Sequence, residues 1–255
     1  MTRIHRAVLS AALILPVAAS VSAQDQPAEE PLWNGVLDLA VTSASGNEQL
    51  TVVTSDLRLS RTITNVVEIV ASGRNRYGES GDSVVARNVK GALRFNFRPQ
   101  GSWAPSLFAD AEHDPIKRLD LRLNAGGGAQ YTFARSDARE AALSGAVLYS
   151  YENLSPPEGS TMEGTVEERA RWKWEFAGRQ RISEGMELTQ ESQYQPVWDR
   201  ASDYLLETET ALRIRVMENL ALTISHLYQR DSTPPAGVVA DDQIVKLGVS
   251  FAMNW

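Results

Sequence analysis

The sequence predicts an all-β protein, a transmembrane antiparallel up-and-down β-barrel of about 12 strands. Three observations carry this prediction. Val245, Leu247, Val249, Phe251, Met253 and Trp255 alternate with Lys246, Gly248, Ser250, Ala252 and Asn254, the period of a strand with one apolar face. The same alternation recurs along the chain between clusters of turn-forming residues. When these segments are laid alternately up and down, the aromatic residues gather at the two ends, where a barrel in a bilayer places its interfacial girdles. A soluble β-sandwich buries such rings in one core instead.

The chain has 255 residues and no cysteine, which excludes disulfides and thiolate metal sites. Arg3 and Arg6, the apolar run Ala7–Leu15 and the small residues Val21-Ser22-Ala23 mark residues 1–23 as a signal peptide, too short to span a bilayer as a helix. Its removal takes away two arginines and no acid, so the formal charge moves from −7 to −9, and a nucleic-acid partner is not expected. Residues 24–31, acidic and proline-bearing, read as a periplasmic leader. Residues 32–255 are the expected outer-membrane β-barrel. No later apolar run suits a membrane helix, and only a closed barrel then satisfies every backbone hydrogen bond in lipid.

In chain order, strand one sets Trp33, Leu37, Leu39 and Val41 against Asn34, Asp38 and Thr42, and residues 43–48 turn the chain. Strand two, about 49–61, alternates weakly. Strand three sets Val67, Ile69 and Ala71 against Glu68, Ser72 and Arg74; strand four sets Val85, Val89, Leu93, Phe95 and Phe97 against Asn88, Lys90, Arg94 and Asn96. Strand five opposes Leu107, Ala109 and Ala111 to Asp110 and Glu112. Strand six opposes Leu119, Leu121, Leu123, Ala129, Tyr131 and Phe133 to Asp120, Arg122, Asn124 and Gln130, with Gly126-Gly127-Gly128 bending it. Strand seven carries Leu143, Val147, Tyr149 and Tyr151. In strand eight Val166, Ala170, Trp172, Trp174 and Phe176 oppose Glu167, Arg169, Arg171, Lys173 and Glu175. Strand nine has Met186, Leu188 and Tyr194 against Glu187, Glu191 and Gln193, and strand ten Leu206, Leu212, Ile214 and Val216 against Glu207, Glu209, Arg213 and Arg215. Strand eleven shows Leu220, Leu222, Ile224 and Tyr228, and the alternating C-terminal segment is the twelfth.

The connections alternate as well. Short turns are expected near 62–65, 99–102, 135–137, 182–185 and 217–219, and longer loops at 153–164, 196–202 and 230–241. Short periplasmic turns and longer outer loops are the barrel pattern, and an even strand count puts both ends of the barrel in the periplasm. On that layout Trp33, Phe95, Phe97, Trp103, Phe133, Phe176 and Trp255 fall at the periplasmic interface. Tyr77, Tyr149, Tyr151, Tyr194, Trp198, Tyr204 and Tyr228 fall at the outer one.

The inward face is the candidate site. Asp110, Glu112, Asp120, Arg122, Arg169, Arg171, Lys173, Glu187, Glu191, Glu207, Glu209, Arg213 and Arg215 point to the lumen by alternation. Opposite charges on adjacent strands can pair across the ladder, with the strand-nine acids as candidate partners of Arg169, Arg171 and Lys173. The expected outcome is a charge network that fills and stiffens the barrel; the alternative is a passive small-solute pore, and a lipid hydrolase comes third. The hydrolase needs a serine within reach of a histidine. Same-face neighbours of His226 are Ile224 and Tyr228, and of His113, Ala111 and Pro115, so no catalytic constellation, cofactor or metal site is expected. Gly126–Gly128 fails as a nucleotide loop because Tyr131 stands where the pattern needs glycine.

Trp33-x-Gly35, the Ser45-Gly46-Asn47 turn, the acidic pair of strand five and the stretch Leu119–Gly128 together resemble the YdiY-like salt-induced outer-membrane protein family, domain of unknown function 481. The resemblance covers nearly the whole mature chain. It implies a β-barrel in the Gram-negative outer membrane, in contact with outer-membrane lipid; it supplies no substrate and no active site to carry over. It also implies that the barrel-assembly machinery reads the C-terminal strand, through Phe251, Met253 and Trp255.

Overall fold

The computed structural model describes residues 33–44, 50–63, 66–156 and 163–254. The expected signal peptide, leader and Trp255 lie outside the described residues, as do parts of the connections expected at 43–48, 62–65 and 153–164.

Twelve strands run β1 Asn34–Ala44, β2 Leu50–Ile63, β3 Val67–Ser80, β4 Ser83–Phe97, β5 Trp103–Asp114, β6 Leu119–Arg135, β7 Arg139–Leu154, β8 Thr165–Ser183, β9 Met186–Val197, β10 Arg200–Met217, β11 Leu220–Asp231 and β12 Asp241–Asn254. Each pairs antiparallel with the next, and β1 pairs with β12 in the register Asp38 opposite Ser250, so the sheet is a closed barrel with no free edge. The end carrying the connections after β2, β4, β6, β8 and β10 is called the turn end, the other the loop end.

The period-2 sequence pattern produces an inverted protein. Charged and polar side chains are buried inside: Arg171, Glu152, Asp203 and Ser150 are at most 5% exposed. Trp103, Leu107, Val245 and Leu247 stand outward, each more than half exposed. A polar interior and an apolar outer wall are what a barrel in lipid requires. The triple glycine closes the wall tightly. A Cβ on Gly128 would lie 2.2 Å from the Gly145 carbonyl oxygen, and one on Gly126 2.4 Å from that of Val147. At Gly127, on the other face, the one close approach of a Cβ would be the end of the Leu107 side chain, at 2.9 Å, with the Ser106 carbonyl oxygen in ordinary contact at 3.4 Å.

The strand layout departs from the sequence reading at two places. Asp120 does not face the lumen. The β5–β6 and β6–β7 pairings both slip at the start of β6, where the partner of β7 passes from Leu119 directly to Leu121. This bulge inserts one residue, and the alternation inverts across it. Leu119 turns inward, 3% exposed, while Asp120 turns out and accepts a 2.5 Å hydrogen bond from Ser155 Oγ. The second departure is the loop expected at 196–202. β9 reaches Val197 and β10 begins at Arg200, leaving a turn at Trp198 and Asp199. Polar residues there continue the ladder because one face is turned into the lumen, and polarity alone does not mark a loop.

Candidate functional site

Alternation aims one side-chain set of every strand into the barrel, and the charges meet there in three tiers. At mid-height Arg74 of β3 bonds Asp56 on neighbouring β2. Across the lumen it donates Nη1 to Glu207 at 3.3 Å and Nη2 to Glu209 at 3.1 Å, both on β10. β3 and β10 are five strands apart around the ring, so one guanidinium bridges the interior. Lys246 of β12 completes this belt, its Nζ 2.6 Å from Glu209 and 3.7 Å from Asp56.

The loop-side tier is built on β4 to β8 and β10. Arg122 lies 3.4 Å from Glu112 and 3.1 Å from Glu152. Arg171, buried, lies 3.4 Å from Glu152 and 3.6 Å from Asp203; Arg169 reaches Asp203 at 2.7 Å and also bonds Glu167. Asn124 donates to Asp110 at 2.8 Å, and Asn88 to Glu112 at 2.9 Å. On the turn side Arg94 of β4 meets Glu175 of β8 at 2.7 Å, and Lys173 meets the same carboxylate at 3.0 Å with its ammonium 4.3 Å above the Phe108 ring. Arg213 pairs with Asp38 at 3.4 Å and Arg179 with Glu187 at 3.3 Å. Arg58 and Glu191 face each other at 3.7 Å, their side chains 60% and 68% exposed. Arg215 is exposed at the turn end and makes no ion pair among the described residues.

Between the mid-height belt and the loop end lies a cavity of about 240 Å³, lined by Lys90, Glu112, Arg122, Arg171 and Glu207, among others. Pro234, Pro235, Val238 and Val239 of the β11–β12 loop form its roof. Arg118 holds the roof down, donating to the carbonyl oxygens of Ala236 and Ser155 at 2.7 and 2.9 Å.

Twelve of the thirteen expected lumen residues therefore sit on the inward face; Asp120 is the exception. The partners of Arg169, Arg171 and Lys173 are Glu152, Glu167, Asp203 and Glu175, not the strand-nine acids. Sequence reasoning missed Asp56, Glu152 and Asp203. Asp56 lies in the weakly alternating strand, and the other two adjoin segments read as loops. Lys246 was signalled by the alternation of the last strand.

Of the outward aromatics at the turn end, Trp103 meets Tyr131 in a tilted contact at 4.8 Å between centroids, and Arg61 lies 5.4 Å over Trp33; Phe133 is exposed and Phe176 stands opposite Leu143, back from the rim. At the loop end Trp172 stacks on Trp198 at 4.2 Å and Tyr194 meets Tyr204 in a tilted contact at 5.3 Å, with Tyr77, Tyr151 and Tyr228 on the same side. Tyr77 donates to Glu79 at 2.6 Å and Tyr228 to Asp241 at 2.5 Å.

Neither His113 nor His226 is paired with a hydroxyl. His113 Nδ1 lies 2.7 Å from the Asp120 carbonyl oxygen. Thr210, directly across from His226, donates its hydroxyl to Gln190 instead. Among the described residues no group of His, Asp and Glu is arranged to hold a metal ion.

The family description "Protein of unknown function, DUF481" matches residues 37–252. No curated relative matches the chain. Among solved structures, the NanC porin aligns with a TM-score of 0.53 at 9% identity, covering 86% of this chain and 98% of that one. The COG4313 outer membrane channel from Pseudomonas putida F1 aligns with a TM-score of 0.52 at 12% identity, covering 92% and 100%. At these identities the likeness establishes the fold, that of outer-membrane barrels.

Proposed function

The chain belongs to the DUF481 family of proteins of unknown function, and from its own geometry we propose that it is a structural barrel of the outer membrane whose lumen is occupied by its own charges. The observation that carries this is the mid-height belt, in which Arg74 and Lys246 tie Asp56 on one wall to Glu207 and Glu209 on another. Such pairs, partly buried, are screened by salt far less than surface pairs. They suit a wall that stays stiff as outside ionic strength changes, in keeping with the resemblance to salt-induced proteins. The protein is exported through the periplasm, is inserted by the barrel-assembly machinery and works without catalysis, its outward rows against lipid.

Planar-bilayer recording tests the reading. The refolded protein is expected to show no stable conductance. Arg74→Ala leaves Asp56, Glu207 and Glu209 short of a counter-charge and is expected to open a cation-preferring path, since charge rings set pore preference. A stable porin-like conductance from the unaltered protein overturns it. That result would favour the second reading, a passive small-solute pore. The loop-side cavity beneath its roof and the exposed Arg58 and Glu191 on the turn side support it, as wider spaces on either side of the mid-height constriction.

A further inference from the structure

The outer wall carries a polar patch where lipid chains are expected. On β9, β10 and β11 the outward rows nearest the turn end are apolar: Met186 and Leu188, Leu212 and Ile214, Leu222 and Ile224. The rows nearest the loop end are aromatic, with Tyr194, Tyr204 and Tyr228. Between them lie Gln190, Ser192, Thr208, Thr210 and His226. Register joins them into one surface: Thr210 stands opposite both Gln190 and His226, and Thr208 opposite Ser192. Gly178 of β8, opposite Gln190, leaves a notch at its side.

The hydrogens of the first four residues are used within the patch. Gln190 Nε2 donates to Thr208 Oγ1 at 2.7 Å and to Ser192 Oγ at 3.0 Å. Thr208 donates to the Glu191 carbonyl oxygen at 3.3 Å, the Ser192 and Thr208 hydroxyls share a contact of 2.7 Å, and Thr210 donates to Gln190 Oε1. What remains is lone-pair capacity on Thr210 Oγ1, Gln190 Oε1 and Ser192 Oγ. The His226 side chain, exposed beside them, makes no hydrogen bond among the described residues, so its ring N–H is the one donor left over. The patch therefore presents an acceptor edge and a donor side by side, and it is complementary to itself.

We propose that this face is where a second copy of the chain docks, about a twofold axis, with His226 of each copy donating to the Gln190–Thr210 edge of the other. A twofold interface requires such a self-complementary surface. Lipid chains cannot accept or donate, and headgroups lie beyond the aromatic rows. Polar atoms at this depth belong to another protein wall. Elsewhere the mid-height outward positions are apolar or glycine, apart from Ser55 and Asn75, which face each other on β2 and β3. Small and hydroxyl-bearing residues are also those that hold proteins together inside bilayers.

The absence of cysteine makes the test clean. Ser192→Cys and Thr210→Cys, each confirmed as folded by heat-modifiable mobility, are treated with oxidant or a short bis-maleimide in native outer membranes. Both are expected to give a covalent dimer, while Leu93→Cys and Leu107→Cys, on β4 and β5 of the far wall, stay monomeric. Adding His226→Leu to Ser192→Cys is expected to weaken the dimer roughly tenfold, the effect of two symmetric hydrogen bonds in a membrane. No dimer from either patch variant, equal dimer from the far-wall variants, or crosslinking to a different protein overturns the proposal. A dimer that forms only when Ser192→Cys is combined with Asn75→Cys replaces the twofold by a head-to-tail contact and overturns it equally.

Discussion

At the scale of single residues, the barrel depends on positions where one side chain decides what can pass or pack. Gly128→Ala drives a Cβ to 2.2 Å from a backbone oxygen on β7, which cannot yield without shifting the strand. Gly127→Ala meets a Leu107 methyl that can rotate away. Gly128→Ala is therefore expected to lower the urea midpoint by roughly 1–3 kcal/mol in stability, with Gly127→Ala near neutral. Arg171→Glu replaces the cation shared by Glu152 and Asp203 with a third carboxylate. Uncompensated buried charge costs about 3–5 kcal/mol, and the expected readout is loss of the heat-modifiable form, not altered ion selectivity. Most inward residues were legible because a strand's period is two and one face must avoid lipid. Asp120 was not, because a bulge adds a residue without leaving a mark in the local pattern. Which acid each arginine chooses was not legible either. Arg74 and Glu207 are 133 residues apart, and only the closed ring brings them together.

At the scale of the element, β12 offers the sharpest comparison. Phe251 faces outward, while adjacent Ser250 is buried and hydrogen-bonded with Thr223 and Asp38. Phe251→Arg puts a charge against lipid at roughly 1–4 kcal/mol depending on depth. Ser250→Arg meets the Asp38 carboxylate and is expected to assemble better. The amount of heat-modifiable protein in purified outer membranes measures both, and equal loss at 250 and 251 would contradict the facing of this strand. The strands themselves were largely legible, since their hydrophobic period survives into structure. Their ends were less so. β9 and β10 run past the residues that looked like a loop, because the lumen accepts Gln195 and Asp203 as readily as water does.

At the scale of the whole molecule, the closed hydrogen-bonded wall predicts that unboiled and boiled protein migrate differently on a denaturing gel, because detergent offers the backbone no better partners. Identical mobility, with recovery in the soluble fraction, would contradict the barrel. The β1–β12 seam has a consequence in time. Asp38 and Ser250, which meet across it, are separated by 212 residues, and bringing such distant segments together is the slow step of folding. Every other strand can find its neighbour within a hairpin, but the circle completes only after the last segment has arrived. Until then the chain exposes two raw edges to every passing polypeptide, and a copy cut short within 241–254 never leaves that state. Quality control in the cell envelope therefore has one late event to watch for, the joining of the first strand to the last.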